Sequence, residues 1–354
     1  MRSFGLFFAA VALTSCAPAK TPSAPSPSAN QVEIVRPTGP VDPAILACGS
    51  GAKLAIHVYD VGQALAVLVD LPDGRHVLVD TADKPHRAGC GQVCVQAHDR
   101  LMDRLGTDLH GMPIDLLWIT HQHSDHIGGA PAVLGRFKVA MYADNGRDLD
   151  KGEIKEAHDL ALNAGANVVV IDPEHRALPF DGSGPLKLTP VVPASWPSKC
   201  KSDPNDCSIM LRIDYCASSI LFTGDAEVEE EKLGDVGGPV TMLQVGHHGS
   251  NTSSSEAFVA KLAPKYAVIS AGKPHEGLNR GYCHPRSSAV KRLTEHLGGA
   301  GSKTLRAYGR DDKCDDTDDG SWADVPVSDR LWATERDGDV VLVTPGDGVF
   351  ERQM

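Results

Sequence analysis

Three histidines and an aspartate fall within six residues at His121-Gln122-His123-Ser124-Asp125-His126. Imidazole nitrogens and a carboxylate at this spacing are the donors of a catalytic zinc-type site, which keeps one coordination position open for water. The cluster directly follows the apolar run Ile114-Asp115-Leu116-Leu117-Trp118-Ile119. A strand ending there presents its donors from one rigid edge. Other apolar runs also end in polar groups: Asp80, Asp225, and His247 with His248. A histidine-rich surface turn, the plainer alternative, leaves these matching pieces without a purpose.

The elements that must gather these groups are legible as apolar periodicity. Strand-like runs cover 54–61, 65–70 and 75–80, then 114–119, 139–142 and 166–171. Helical spacing predicts helices over 95–105, 127–137 and 151–164. In the second half, strands are expected at 186–192, 207–215, 219–223, 240–245 and 266–270, with helices at 255–262 and 287–296. Segments 331–335 and 340–344 read as a hairpin turned at Arg336-Asp337-Gly338-Asp339, after an acidic loop at 311–319. Alternating strands and helices build layered sheets whose strand ends converge on one rim.

His-x-His-x-Asp-His followed by Ile127-Gly128-Gly129 resembles the signature of the metallo-β-lactamase superfamily. More narrowly, Tyr59 to Gln63, Val79-Asp80-Thr81, Asn205 to Ile209, Leu221 to Asp225, Val245 to Thr252 and Tyr282-Cys283-His284-Pro285 resemble the hydrolase domain of ComEC-type competence proteins. The likeness runs over 54–344, and similar modules occur as phosphorylcholine esterases and other exported phosphodiesterases. It implies an α/β fold, a four-layer αβ/βα metallo-β-lactamase sandwich of two mixed sheets flanked by helices, forming one domain over 51–354.

Carried onto this sequence, the resemblance implies that His121 and His123 hold one divalent ion, Asp125 and His126 the other, and that Asp225 bridges them. One of His247 and His248 completes the second ion while the other meets substrate, and spacing does not say which. Asp80, Asn205 and Ser208 stand behind the ligands, and His284 faces a leaving group or phosphate oxygen. Asp125, His248 and His284 are thus the candidate catalytic groups. Three departures stand out. Gln63-Ala64-Leu65 and Asp80-Thr81-Ala82 replace Gln-Gly-Asp and Asp-Thr-Gly, and no histidine stands where the superfamily has a third ligand for the first ion. Asn205 and Ser208 occupy that segment, with His175 a distant alternative.

Two ions, zinc or else manganese, would lower the pKa of a shared water to about 7 and neutralise phosphoryl oxygens. The expected function is therefore metal-dependent hydrolysis of a phosphodiester, in nucleic acid or an envelope component. A β-lactamase and a non-catalytic envelope binding protein are the other readings. The formal net charge of -12 weighs against broad affinity for nucleic acid.

Arg2, the apolar run 4–13 and Leu13-Thr14-Ser15-Cys16 read as a signal over 1–15 with a lipobox, implying a lipid on Cys16. An ordinary signal or an N-terminal anchor is the alternative. Residues 16–50, rich in Pro, Ser and Ala, form a tether. Ala17 is not the Asp associated with inner-membrane retention, so the outer membrane is the expected destination where one exists. Besides the substrate and this membrane contact, no stable protein partner is evident. Export makes disulfides, rather than a thiolate zinc site at Cys90 and Cys94 or at Cys200 and Cys207, the expected state of the remaining eight cysteines. Their pairing is not readable, since eight allow about 105 connectivities.

Overall fold

Short strands, the central ones buried on both faces, organise the described residues. The computed structural model describes residues 46–180 and 182–353. The expected signal segment, Cys16 and the expected tether up to residue 45 lie outside the described residues. Strands β1 (Leu54–Val58), β2 (Val67–Asp70), β3 (His76–Val79), β4 (Ile114–Trp118), β5 (Val139–Asp144) and β6 (Asn167–Val170) form most of one sheet. Strands β7 (Leu186–Val191), β8 (Met210–Tyr215), β9 (Ser218–Phe222), β10 (Met242–Gln244) and β11 (Tyr266–Ile269) form most of a second. β12 (Lys303–Tyr308) and β13 (Trp322–Val327) pair as a separate hairpin. β14 (Leu331–Ala333) extends the second sheet, and β15 (Val340–Thr344) with β16 (Glu351–Gln353) extends the first.

The strand orders are β16-β15-β1-β2-β3-β4-β5-β6 and β14-β11-β10-β9-β8-β7. Each sheet is mixed. β3 to β6 run parallel, as do β9, β10, β11 and β14, and the other neighbours are antiparallel. Alternate side chains then serve two interfaces. Ile56, Val69, Val79 and Trp118 of the first sheet meet Leu211, Ile213, Ile220 and Phe222 of the second in a central core. On the far side of the first sheet, Leu68, Leu78 and Leu117 pack under helices α1 (Gln92–Asp108), α2 (Ala130–Arg136) and α3 (Gly152–Asn163). The single turn Val228–Leu233 is α4; beyond it Leu221, Leu243 and Ile269 pack under α5 (Glu256–Leu262) and α6 (Ser287–His296). These interfaces make the four layers of the expected sandwich. Strands buried on both faces read as continuous apolar runs, which is why their positions are legible in the sequence.

Two expectations fail. The helix expected over 127–137 is divided into a turn at Ser124–Ile127 and α2, with Gly128 and Gly129 between them. The hairpin expected over 331–344 does not form. β14 pairs parallel to β11, and β15 pairs antiparallel to β1 in the other sheet. A helical turn, Thr334–Asp337, carries the chain between sheets, and Asp337 fixes it by accepting the Ala333 N–H at 3.0 Å and pairing with Arg352 at 3.2 Å. A turn-like tetrapeptide satisfies either geometry; burial of Leu331 and Leu342 in different cores decides.

All eight cysteines in the described residues are joined, as Cys48–Cys216, Cys90–Cys94, Cys200–Cys207 and Cys283–Cys314. The expectation of disulfides is met, and no thiolate is left to bind zinc there. Leu46 is fully buried and Cys48 is bonded to the end of β8, so the packed body is under way before residue 50.

Candidate metal centre

The carboxyl ends of the parallel strands meet on one rim. Asp80 follows β3, His121 to His126 follow β4, Asp225 follows β9, His247 and His248 follow β10, and Ser270 follows β11. The loop after β4 is held by its backbone. Thr81 donates to the His126 carbonyl from both N (2.7 Å) and Oγ1 (2.9 Å), and Leu65 N–H donates to the Asp125 carbonyl at 3.1 Å. Glycine is required behind it, since a Cβ on Gly129 would stand 2.1 Å from the Thr81 carbonyl.

Hydrogen bonds on the far ring nitrogens aim the near ones inward. His126 Nδ1 lies 2.7 Å from Asp80 Oδ2, so Nδ1–H donates to the carboxylate and Nε2 faces the centre. Asp80 is fully buried and also accepts from Thr120 N (2.8 Å) and Thr120 Oγ1 (2.7 Å). His248 Nδ1 donates to the Ser270 carbonyl at 2.8 Å, leaving its Nε2 inward too. Partners of this kind fix ring orientation and raise ligand basicity.

The inward atoms crowd one another as acceptors. His126 Nε2 stands 3.3 Å from His248 Nε2 and 3.2 Å from Asp225 Oδ1, which is buried and accepts no hydrogen bond. His121 Nε2 and His123 Nδ1 are 3.2 Å apart. His248 Nε2 is 3.6 Å from both Asp125 Oδ2 and Asp225 Oδ2, and His121 Nε2 is 4.0 Å from Asp225 Oδ2. Lone pairs at such distances repel unless a cation lies among them. Two nitrogens bound tetrahedrally to zinc are about 3.3 Å apart. The donor set therefore fits metal ions. Asp125, His126, Asp225 and His248 converge as one group, while His121 and His123 form a pair beside it with Asp225 on its flank.

Electrostatics agree. Burial pushes the Asp225 carboxyl up, but the histidines His126, His248 and His247 outweigh it and hold it well below the usual range. Burial likewise opposes charge on His126, yet Asp225 and Asp80 raise its pKa well above that of a free imidazole. Burial and the neighbouring His126 keep His121 neutral. Metal loading must therefore compete with a proton for His126.

The two adjacent histidines part ways. His248 is buried among the ligands, whereas His247 turns to the rim of a groove of about 510 Å³. There His247 Nε2 lies 3.4 Å from Asn205 Nδ2, and its Nδ1 lies 3.4 Å from Glu227 and 3.2 Å from Thr252 Oγ1. Both residues have left-handed backbones, φ 50° and 52°. Such a conformation costs about 1–2 kcal/mol per non-glycine residue. Asp80, Ala82 and Cys283 share it, so strain gathers around this rim.

His284 also lines the groove, with Tyr282 and Asn205. Burial and the neighbouring His247, His248 and Arg286 lower its pKa well below the usual value. Ser208 is fully buried with no partner for Oγ, behind Asn205 rather than among the ligands. His175 is bonded to Asp172 on an exposed turn and contributes nothing here. The sequence reading missed Gln63, Asn145, Glu227 and Ser270. Asn145 ties Gln122 of the metal loop to the Cys207 carbonyl, and no local signal marks such a bridge.

A model of the metallo-beta-lactamase superfamily matches residues 59–273, more than half of the chain. The chain belongs to that superfamily. Every candidate ligand from His121 to His248 lies inside the match, and His284 lies beyond it. The chain is 30% identical over 258 residues to Competence protein ComA of Neisseria gonorrhoeae, covering 72% of this chain and 31% of that protein. It is 28% identical over 260 residues to ComE operon protein 3 of Bacillus subtilis, covering 68% and 30%. The chain thus spans less than a third of these relatives. Among solved structures, the diiron beta-hydroxylase CmlA of Streptomyces venezuelae aligns at 18% identity and TM-score 0.44, over 69% of this chain and 52% of that one. No helix of the described residues is long and apolar enough to cross a membrane.

Proposed function

We propose that this superfamily member is an exported, metal-dependent phosphodiesterase, acting on nucleic acid or a phosphorylated envelope component and tethered through a lipid on Cys16. The observation that carries the reading is the crowding of inward-facing imidazole nitrogens and carboxylate oxygens around Asp225. In this account His121 and His123 hold one ion, Asp125, His126 and His248 the other, and Asp225 stands between them. Zinc is the ion best suited to imidazole and carboxylate donors, with manganese the alternative. Bound there, paired divalent ions lower the pKa of water to about 7 and neutralise the oxygens of a phosphoryl group.

The chain's own residues do the rest. Asp80 and the Ser270 carbonyl keep His126 and His248 in the tautomers that face inward. Asp125 orients an attacking water as well as binding. His247 and His284, on the groove wall, are positioned to hydrogen-bond a phosphoryl or leaving-group oxygen. The four disulfides support an oxidising compartment. The competence relatives make DNA the first natural substrate to test.

The purified chain, loaded with zinc or manganese, is to be assayed on bis(p-nitrophenyl) phosphate, single-stranded DNA, RNA and a β-lactam panel. Phosphodiester hydrolysis is expected, abolished by chelation, restored by metal and absent from His123→Ala. Turnover of β-lactams alone, or no turnover with metal bound, would refute the reading.

A further inference from the structure

Behind the groove, the turn after β1 buries Gln63 to 6% exposure against His284. Its amide orientation is settled by its two neighbours. Oε1 accepts the Gly272 N–H at 3.1 Å, so the NH2 group faces His284 Nδ1 at 3.2 Å. The flipped amide would set two donors against each other at Gly272. The approach is close: a Cβ on Gly272 would stand 2.8 Å from Gln63 N.

Fully buried Asn279 braces the same assembly. Its Nδ2 donates to the carbonyls of Gly272 (2.7 Å) and His284 (2.6 Å), and its Oδ1 accepts the His284 N–H at 2.7 Å. Gly272, which anchors Gln63, and the His284 backbone are thereby clamped to one side chain. The imidazole has little freedom to escape the amide.

We infer that Gln63 is a positioning residue that locks His284 as the Nε2–H tautomer, so that His284 serves as a neutral hydrogen-bond donor to a substrate oxygen and not as a base. With Nδ1 accepting from Gln63, the proton of the neutral ring must sit on Nε2. A doubly protonated ring would put Nδ1–H against an NH2 group, so the amide disfavours the cation by geometry alone. Nε2 is the nitrogen left for the groove that His284 lines. A neutral imidazole polarising a developing oxyanion from a fixed position is an efficient electrostatic catalyst. The acceptor's identity rests on the phosphodiesterase reading; the tautomer does not.

The test pairs spectroscopy with kinetics. In the zinc-loaded chain carrying 15N-histidine, His284, assigned by its disappearance in His284→Gln, should show a bare Nδ1 and a protonated Nε2. Gln63→Glu keeps an acceptor for Gly272 but demands a proton on Nδ1, so the spectrum should change to a protonated Nδ1. Its kcat should fall about 100-fold with KM within about threefold and zinc content unchanged. Gln63→Met, which removes both bonds at similar volume, should give mixed tautomers and a smaller loss. A protonated Nδ1 in the parent chain would overturn the inference whatever the variants do, as would unchanged kcat in Gln63→Glu. A parent chain that turns over no phosphodiester would refute the proposed function while the His284 spectrum still decides the tautomer.

Discussion

Asp225→Ala is expected to lower kcat/KM on any phosphodiester by about 10³-fold, roughly 4 kcal/mol of transition-state stabilisation. Its carboxylate lies within 4.0 Å of four histidines. It lies 3.2 Å from His126 Nε2, 3.6 Å from His248 Nε2, 4.0 Å from His121 Nε2 and 3.9 Å from His247 Nε2. Removing it takes a charge from both ion positions at once and leaves the histidines to repel one another. Metal content of the variant should fall together with activity. Asp225→Asn keeps the volume and removes the charge, so it should lose nearly as much; a mild effect there would mean that Asp225 works by packing. The measurements are steady-state kinetics beside elemental analysis of the same protein.

The second large effect separates His248 from His247. His248→Ala is expected to release one of two ions and reduce kcat/KM by about 10²–10³-fold, because its Nε2 joins Asp125, His126 and Asp225 in one donor group. His247→Ala should retain both ions and lose only about tenfold, as befits a groove residue that hydrogen-bonds substrate. Its hydrogen-bonding neighbours are Glu227, Thr252 and Asn205, and its approach to the donor group is the 3.9 Å to Asp225. Equal metal loss in the two variants would show that the assignment is wrong.

That contrast also marks what a sequence can and cannot carry. The loop His121 to His126 was legible because its donors lie within six residues and follow one apolar strand. Asp225 was legible for a similar reason, standing directly after β9. Which of two neighbouring histidines turns inward was not, since the answer lies in two successive left-handed backbones and in a bond from His248 to Ser270. Gln63 and His284 are 221 residues apart and meet only through the packing of one sheet against the other. The disulfides show the same division. Oxidation followed from the reading as an exported chain, whereas the pairing of Cys48 with Cys216 across 168 residues needed the fold. The false hairpin at 331–344 reversed the error: a strong local turn signal was overruled by two separate cores competing for its flanking strands.

Of the two proposed ion positions, the first is the leaner. There His121 and His123 would supply two nitrogens, and Asn205 in the segment of the absent third histidine reaches His247 instead. The second position has four protein groups. Unequal donor sets should bind with unequal strength, and because Asp225 and Asp80 raise the pKa of His126, the second position should weaken as pH falls.

Metal stoichiometry by native mass spectrometry during a chelator titration tests the two-ion centre most directly. Two divalent ions per chain at neutral pH are expected, leaving in two resolved steps, with the weaker step eliminated in His123→Ala and the tighter one in His248→Ala. A chain that holds no divalent ion at neutral pH, or that still holds two in both variants, would contradict the account.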